Sequence, residues 1–103
     1  MAEENLDREL ARKMSDLFGA LSDPSRVRII AGLLEQEVNV GELAGMVGMS
    51  ESAVSHQLRT LRQMHLVRRR RQGREAYYTL DDEHVADLFQ RGLDHVRHQS
   101  NRS

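Results

Sequence analysis

Residues 48–50, Gly-Met-Ser, leave three positions in which to join two short amphipathic segments, and that constraint governs the fold. Upstream, Val40, Leu43, Ala44 and Val47 recur at helical spacing after Asn39, a residue suited to cap a helix start. Gly48 ends that helix and Met49 lies in the turn. Ser50 caps the next helix, whose inner face is Val54, Leu58 and Leu61. A turn this tight makes the two helices meet at a steep angle, which is the helix-turn-helix arrangement.

The flanking segments extend the same reading. Leu6, Leu10, Met14, Leu17, Phe18 and Leu21 predict a first amphipathic helix. It is interrupted at Ser22-Asp23-Pro24, where Asp23 can cap and Pro24 suits a first helical position because its missing N–H would be unpaired there. A second helix runs through Ile29, Ile30, Leu33 and Leu34. After the fourth helix the period changes. Leu66 to Arg71 and Glu75 to Leu80 read as two strands around a turn containing Gln72-Gly73. Asp81 can cap a last helix reaching roughly His98, with Val85, Leu88, Phe89, Leu93 and Val96 as its apolar positions. The expectation is one mainly α domain over 1–103 with a small β-hairpin, a winged helix-turn-helix that is homodimeric. Its core spans about 7–98, with a frayed tail over 99–103.

The formal net charge of -1 conceals a polarised distribution. No acid occurs between Glu51 and Glu75, a stretch holding seven arginines: Arg59, Arg62, Arg68, Arg69, Arg70, Arg71 and Arg74. Acids collect instead at the two ends, which leaves one strongly positive face of the kind phosphate binding requires. There is no cysteine, so disulfides and thiolate metal sites are excluded. The acidic N-terminus lacks a signal-peptide core, and the longest apolar run, Ile29 to Leu34, is too short to span a bilayer. A soluble cytoplasmic protein with no membrane partner is expected.

The inner face of the fourth helix leaves Glu51, Ser52, Ser55, His56 and Arg59 pointing outward. Small hydroxyl side chains let a helix sit deep in a DNA major groove and bond base edges or phosphates. The plainer alternative is a solvated polar face. Strand alternation puts Arg68 and Arg70 on one side, Arg69 and Arg71 on the other. One pair can then face phosphate while the other is solvated or pairs with acids. We assign Ser52, Ser55, His56, Arg59, Arg69, Arg71, Gln72 and Arg74 to double-stranded DNA, with Gln72, Gly73 and Arg74 at the wing tip.

The stretches Ser22-Asp23-Pro24-Ser25-Arg26-Val27-Arg28-Ile29-Ile30 and Met49-Ser50-Glu51-Ser52-Ala53-Val54-Ser55-His56-Gln57-Leu58, followed by the arginine hairpin, resemble the ArsR/SmtB family of metal-responsive repressors over roughly residues 10 to 98. The resemblance implies a winged-helix dimer built from the first and last helices, with operator contacts at Ser52, Ser55 and His56. Many members carry cysteines at the start of the third helix. Val38 and Val40 stand there in this chain, so thiolate sensing and an arsenite response are not expected.

The last helix carries Asp82-x-His84 near its start and His95-x-x-His98 near its end. His95 and His98 share a helix face. One carboxylate and three imidazoles suit zinc, and also accept cobalt or nickel. One chain cannot converge all four, because His84 and His95 lie about 16 Å apart along a helix. Two antiparallel copies can. Asp82 then lies opposite His98, and His84 opposite His95, around one centre near position 90, giving two equivalent sites between subunits. Gly92 near that centre would ease close approach. The same pattern is the C-terminal-helix zinc site of the family it resembles.

The expected behaviour is a metal-free dimer that binds operator DNA and releases it on Zn(II) (or Co or Ni) binding, controlling metal efflux or sequestration by family resemblance. The resemblance also implies a hydrogen bond from a ligand histidine towards the loop Gln63-Met64-His65, although His65 has an equally simple role as a helix C-cap. Ligation needs neutral histidines, so response should fade below about pH 6, near the imidazole reference of about 6.5. An enzyme is not expected, because four protein ligands close the coordination shell and no nucleophile–base pair accompanies them. A regulator of another signal with idle histidines, and a dimerisation module without DNA binding, are the alternatives.

Overall fold

The computed structural model describes residues 5–102, with side chains through residue 99. Five helices and three strands follow in order: α1 (Arg8–Ala20), α2 (Pro24–Gly32), β1 (Val38–Asn39), α3 (Val40–Val47), α4 (Glu51–Gln63), β2 (Val67–Gln72), β3 (Glu75–Leu80) and α5 (Glu83–Arg102). The arrangement is a winged helix-turn-helix, with α3 and α4 as the helix pair and β2–β3 as the wing.

Each helix start is chemically marked. Asp7 accepts from the Leu10 N–H, Asp23 from Ser25 with Pro24 following, and Ser50 from Ala53. Asn39 and Glu42 form a reciprocal capping box at the start of α3. Gly48 closes α3 at φ 71°, a left-handed value that glycine reaches without steric cost. The turn into α4 is therefore as short as the spacing predicts.

At the end of α4, Met64 is the C-cap and His65 lies one residue beyond it, at φ 61°. The Leu66 N–H donates to the Leu61 carbonyl and the His65 N–H to the Arg62 carbonyl, at 2.9 and 3.0 Å. These are the two bonds of a Schellman motif, with buried Leu61 and Leu66 as its apolar contact. Histidine thus occupies the position glycine usually takes.

The core is Ile29, Ile30 and Leu33 from α2 and its cap, Leu43 and Val47 from α3, and Val54, Leu58 and Leu61 from α4. Val38, Leu66, Val67, Tyr78 and Leu80 close it from the sheet side. No helix among the described residues is long and apolar enough to cross a membrane.

Several boundaries differ from the spacing. A third strand, β1, pairs antiparallel with β3 through Val38–Tyr78 and Asn39–Tyr77, giving the order β1-β3-β2. Two residues are too few for alternation to register. Asn39 ends this strand and caps α3, so the wing is tied to the first residue of the helix pair. Strand β2 starts at Val67 instead of Leu66, because Leu66 is spent on the α4 cap. Gln72 pairs with Glu75, so the turn is Gly73-Arg74 and not Gln72-Gly73. Helix α2 stops at Gly32, with Leu33 as its cap and Leu34 beyond it. Asp82, not Asp81, accepts from the first turn of α5 through the Val85 N–H at 3.0 Å. The Asp81 N–H is already committed to the Leu66 carbonyl. Helix α5 continues to Arg102 instead of stopping near His98, so 99–102 are helical.

The radius of gyration is 15.4 Å, against about 13 Å for a compact chain of this length. Outlying helices α1 and α5 account for the excess. Leu10, Met14 and Phe18 on α1, and Leu88 and Val96 on α5, stay exposed.

Candidate nucleic-acid interface and metal-ligand half-sites

Helix α4 buries Val54, Leu58 and Leu61 completely, which turns Glu51, Ser52, Ser55, His56 and Arg59 outward, all exposed. The wing lies beside it. In β2, Arg69 pairs with Tyr78 and Arg71 with Ala76 across the ladder, so these two share a face. That face turns towards α4. Ser55, Arg59, Arg62, Arg69, Arg71 and Arg74 line one groove of 470 Å³, with Glu51 and Glu75 the two acids on its wall. Five guanidinium groups, from α4, β2 and the wing turn, thus surround one channel. Ser52 and His56 are exposed on α4 outside that channel, and Gln72 lies outside it too, on the opposite strand face, where its Oε1 accepts from Arg70.

The opposite face of β2 is used differently. Arg70 donates through Nε and Nη2 to the two carboxylate oxygens of Glu37, at 3.0 and 2.7 Å. Its Nη1 reaches Gln72 Oε1 at 2.8 Å, and its guanidinium lies 5.0 Å from the Tyr77 ring centroid. The hydrogen bond from Arg70 holds the Glu37 carboxyl below its usual range, and Glu37 in turn raises Arg70. Arg68 lines a separate cleft with Thr79, Leu80, Asp82 and Glu83. The strand therefore sorts its four arginines: two face the α4 groove, one is clamped by an acid and an aromatic ring, and one faces the α5 side.

Arg62 and Glu37 are absent from the sequence-based assignment. Arg62 was legible, since it follows Arg59 by three residues on a helix. Glu37 was not, because its partner is 33 positions away.

The metal-ligand candidates fall into two groups. Asp82 Oδ1 caps α5, while Oδ2 faces His84 Nδ1 at 3.7 Å. The Asp82 carboxyl is held below its usual range, first by the Val85 N–H and then by His84. The His84 side chain is 96% exposed and that of Asp82 49% exposed, so both can accept a further ligand. His95 and His98 are exposed at the far end of the same helix. Among the described residues no three potential ligands converge within the chain. The donors fit a borderline-soft divalent ion: a carboxylate oxygen left over from the cap, and exposed imidazoles.

Between these ends lies an apolar groove of 410 Å³ lined by Phe18, Leu21, Leu88, Phe89, Leu93 and Val96, with Gly92 on its wall. A Cβ at Gly92 would meet nothing within 4 Å, so that surface is open.

Residues 23–69 match the family described as bacterial regulatory protein, arsR family. The chain is 47% identical over 94 residues to the transcriptional repressor SmtB homolog of Synechocystis sp., covering 91% of this chain and 71% of that protein. It is 36% identical over 97 residues to the cadmium resistance transcriptional regulatory protein CadC homolog of Staphylococcus aureus, covering 93% and 80%. Its fold is similar to the homodimeric winged helix-turn-helix DNA-binding domain Mb0332 of Mycobacterium bovis, with a TM-score of 0.86 at 27% identity, covering 97% and 94%.

Proposed function

Since the chain belongs to the arsR family of bacterial regulatory proteins, we propose that it is a homodimeric, cytoplasmic transcriptional repressor that binds operator DNA and releases it when Zn(II), or Co(II) or Ni(II) in its place, binds between subunits. Its relatives are transcriptional regulators, and no enzymatic role is assigned. The observation that carries the DNA reading is the sorting of the wing arginines. Arg69, Arg71 and Arg74 join Arg59 and Arg62 around one groove, while Arg70 is neutralised by Glu37 on the other face. A solvated charge run would need no such division.

In this reading α4 enters the major groove with Ser52, Ser55 and His56 towards base edges, Arg59 towards the backbone, and Arg69, Arg71 and Arg74 along the flanking phosphates, while Gln72 braces Arg70 on the other face. Dimerisation covers the exposed apolar faces of α1 and α5, in keeping with the homodimeric relative. Asp82 and His84 of one protomer with His95 and His98 of the second would hold the ion. An ion held by these four residues would tether the two α5 helices to each other. The tethered dimer must bind the ion more tightly than the DNA-bound dimer does, by about 1–3 kcal/mol, or 5–150-fold. Linkage then weakens DNA binding by the same factor.

The test is fluorescence anisotropy on duplexes selected from a random pool by chelator-treated protein, followed by titration with Zn(II), Co(II) and Ni(II). Binding that falls steeply with salt and is reversed by one of these ions is the expected result. A His95→Ala, His98→Ala double variant should bind the duplex and ignore the ion. Release that persists in that variant would assign the signal to another site.

A further inference from the structure

Helix α4 is held in the core by Val54, Leu58 and Leu61, but apolar burial is non-directional and does not by itself fix how a helix is rotated or slid. A polar relay supplies that direction. Arg26 Nε, in the first turn of α2, donates to Gln57 Oε1 at 2.8 Å. Gln57 Nε2 reaches Ser25 Oγ at 3.5 Å. The Ser25 hydroxyl donates to Asp23 Oδ1 at 3.1 Å, and the same oxygen caps α2 through the Ser25 N–H at 3.0 Å.

The chemistry allows one orientation of the amide. The guanidinium can only donate, so the Gln57 oxygen must face it. The Ser25 proton is spent on Asp23, so its oxygen is free to accept from the Gln57 nitrogen. All four residues are part-buried, where such bonds are less readily exchanged for water. Among the described residues, no other side-chain hydrogen bond joins two helices. The relay starts at Asp23, which follows the α1 C-cap Leu21 after a single residue. It ends on Gln57, between His56 and Leu58 in the middle of α4. One short run of bonds therefore connects the start of α2 to the middle of α4.

We propose that Gln57 is a positioning residue: gripped by Arg26 and by the Ser25–Asp23 pair, it fixes the orientation of α4 relative to α2, the helix that directly follows α1, and with it the separation of the two recognition helices in a dimer. This rests on the reading of α1 as a dimerisation helix. Loss of the grip leaves α4 folded and packed but free to rock, so the two recognition helices sample a range of separations.

The absence of cysteine makes the test direct. A Gln63→Cys chain is spin-labelled at this exposed position at the end of α4, and pulsed electron paramagnetic resonance reads the distance between the two labels of the dimer. The parent should give one narrow distribution. Gln57→Met, close in volume but unable to bond either partner, should broaden it about two-fold while melting cooperatively. Gln57→Glu, which still accepts from Arg26, should restore the narrow distribution. An unchanged width in Gln57→Met overturns the proposal. If that variant does not melt cooperatively, Arg26→Met, which removes the shorter of the two bonds, takes its place with the same expectation and the same refutation. A parent with no inter-label distance is a monomer, which removes the dimer reading and this one together. Narrowing and broadening as expected in a protein that binds no duplex would remove only the DNA reading.

Discussion

Two left-handed residues end the two helices of the DNA-reading pair, and they differ in chemistry. Gly48 at φ 71° carries no steric penalty, whereas His65 at φ 61° does. Gly48→Ala should destabilise the protein by about 1 kcal/mol, and His65→Gly should stabilise it by about 0.5–1 kcal/mol. Denaturant melts at a fixed protomer concentration would show both signs, and a loss of stability in His65→Gly would mean that its exposed imidazole makes a compensating contact. Glu37 gives a second residue-level prediction. Its folded-state carboxyl is depressed by Arg70, so the clamp is fully present above the unfolded glutamate value of about 4.3 and is lost as pH falls through the lower folded value. The Tyr77 ring resonances, shifted by the stacked Arg70, should titrate with a midpoint below about 4.3 and stop titrating in Glu37→Gln. Caps at Asp23, Asn39 and Ser50 were legible in the sequence because capping is a local event of three residues. The Asp81 assignment failed because two adjacent aspartates compete for one cap, and only the fold shows that the Asp81 N–H is committed to Leu66.

At the scale of the element, the alternation of β2 puts Arg69 and Arg71 in the α4 groove and leaves Arg70 to brace against Glu37. Arg69→Ala and Arg71→Ala should each weaken DNA binding across sequences and lower the slope of log affinity against log salt by about 1. Arg70→Ala should leave the slope unchanged, since its charge is already satisfied by Glu37. Anisotropy at four salt concentrations would separate the three variants, and an equal loss of slope in Arg70→Ala would contradict the sorting. The division into two faces was readable from the period of two. Which face meets α4 was not, because that depends on the register of β2 against β3 and on the bridging strand β1. A two-residue strand carries no periodic signal, so the tie between wing and helix pair emerges only in three dimensions.

The whole molecule is extended because its first and last helices leave apolar faces uncovered. A charge placed there should separate the protomers. Phe18→Glu should shift the species seen by analytical ultracentrifugation to a monomer and weaken ion binding, since half a coordination shell is then missing. A variant that stays dimeric would move the interface elsewhere. The pairing of the α5 ends rests on numbering symmetry, and among the described residues the candidate ligands do not converge within one chain. The arginine groove holds none of the proposed ligands Asp82, His84, His95 and His98. In the proposed function, the vocabulary of address and the vocabulary of signal are thus written on separate surfaces. Descent with modification can revise one while the other stays constant, so a lineage of such chains could answer to new stimuli at unaltered promoters.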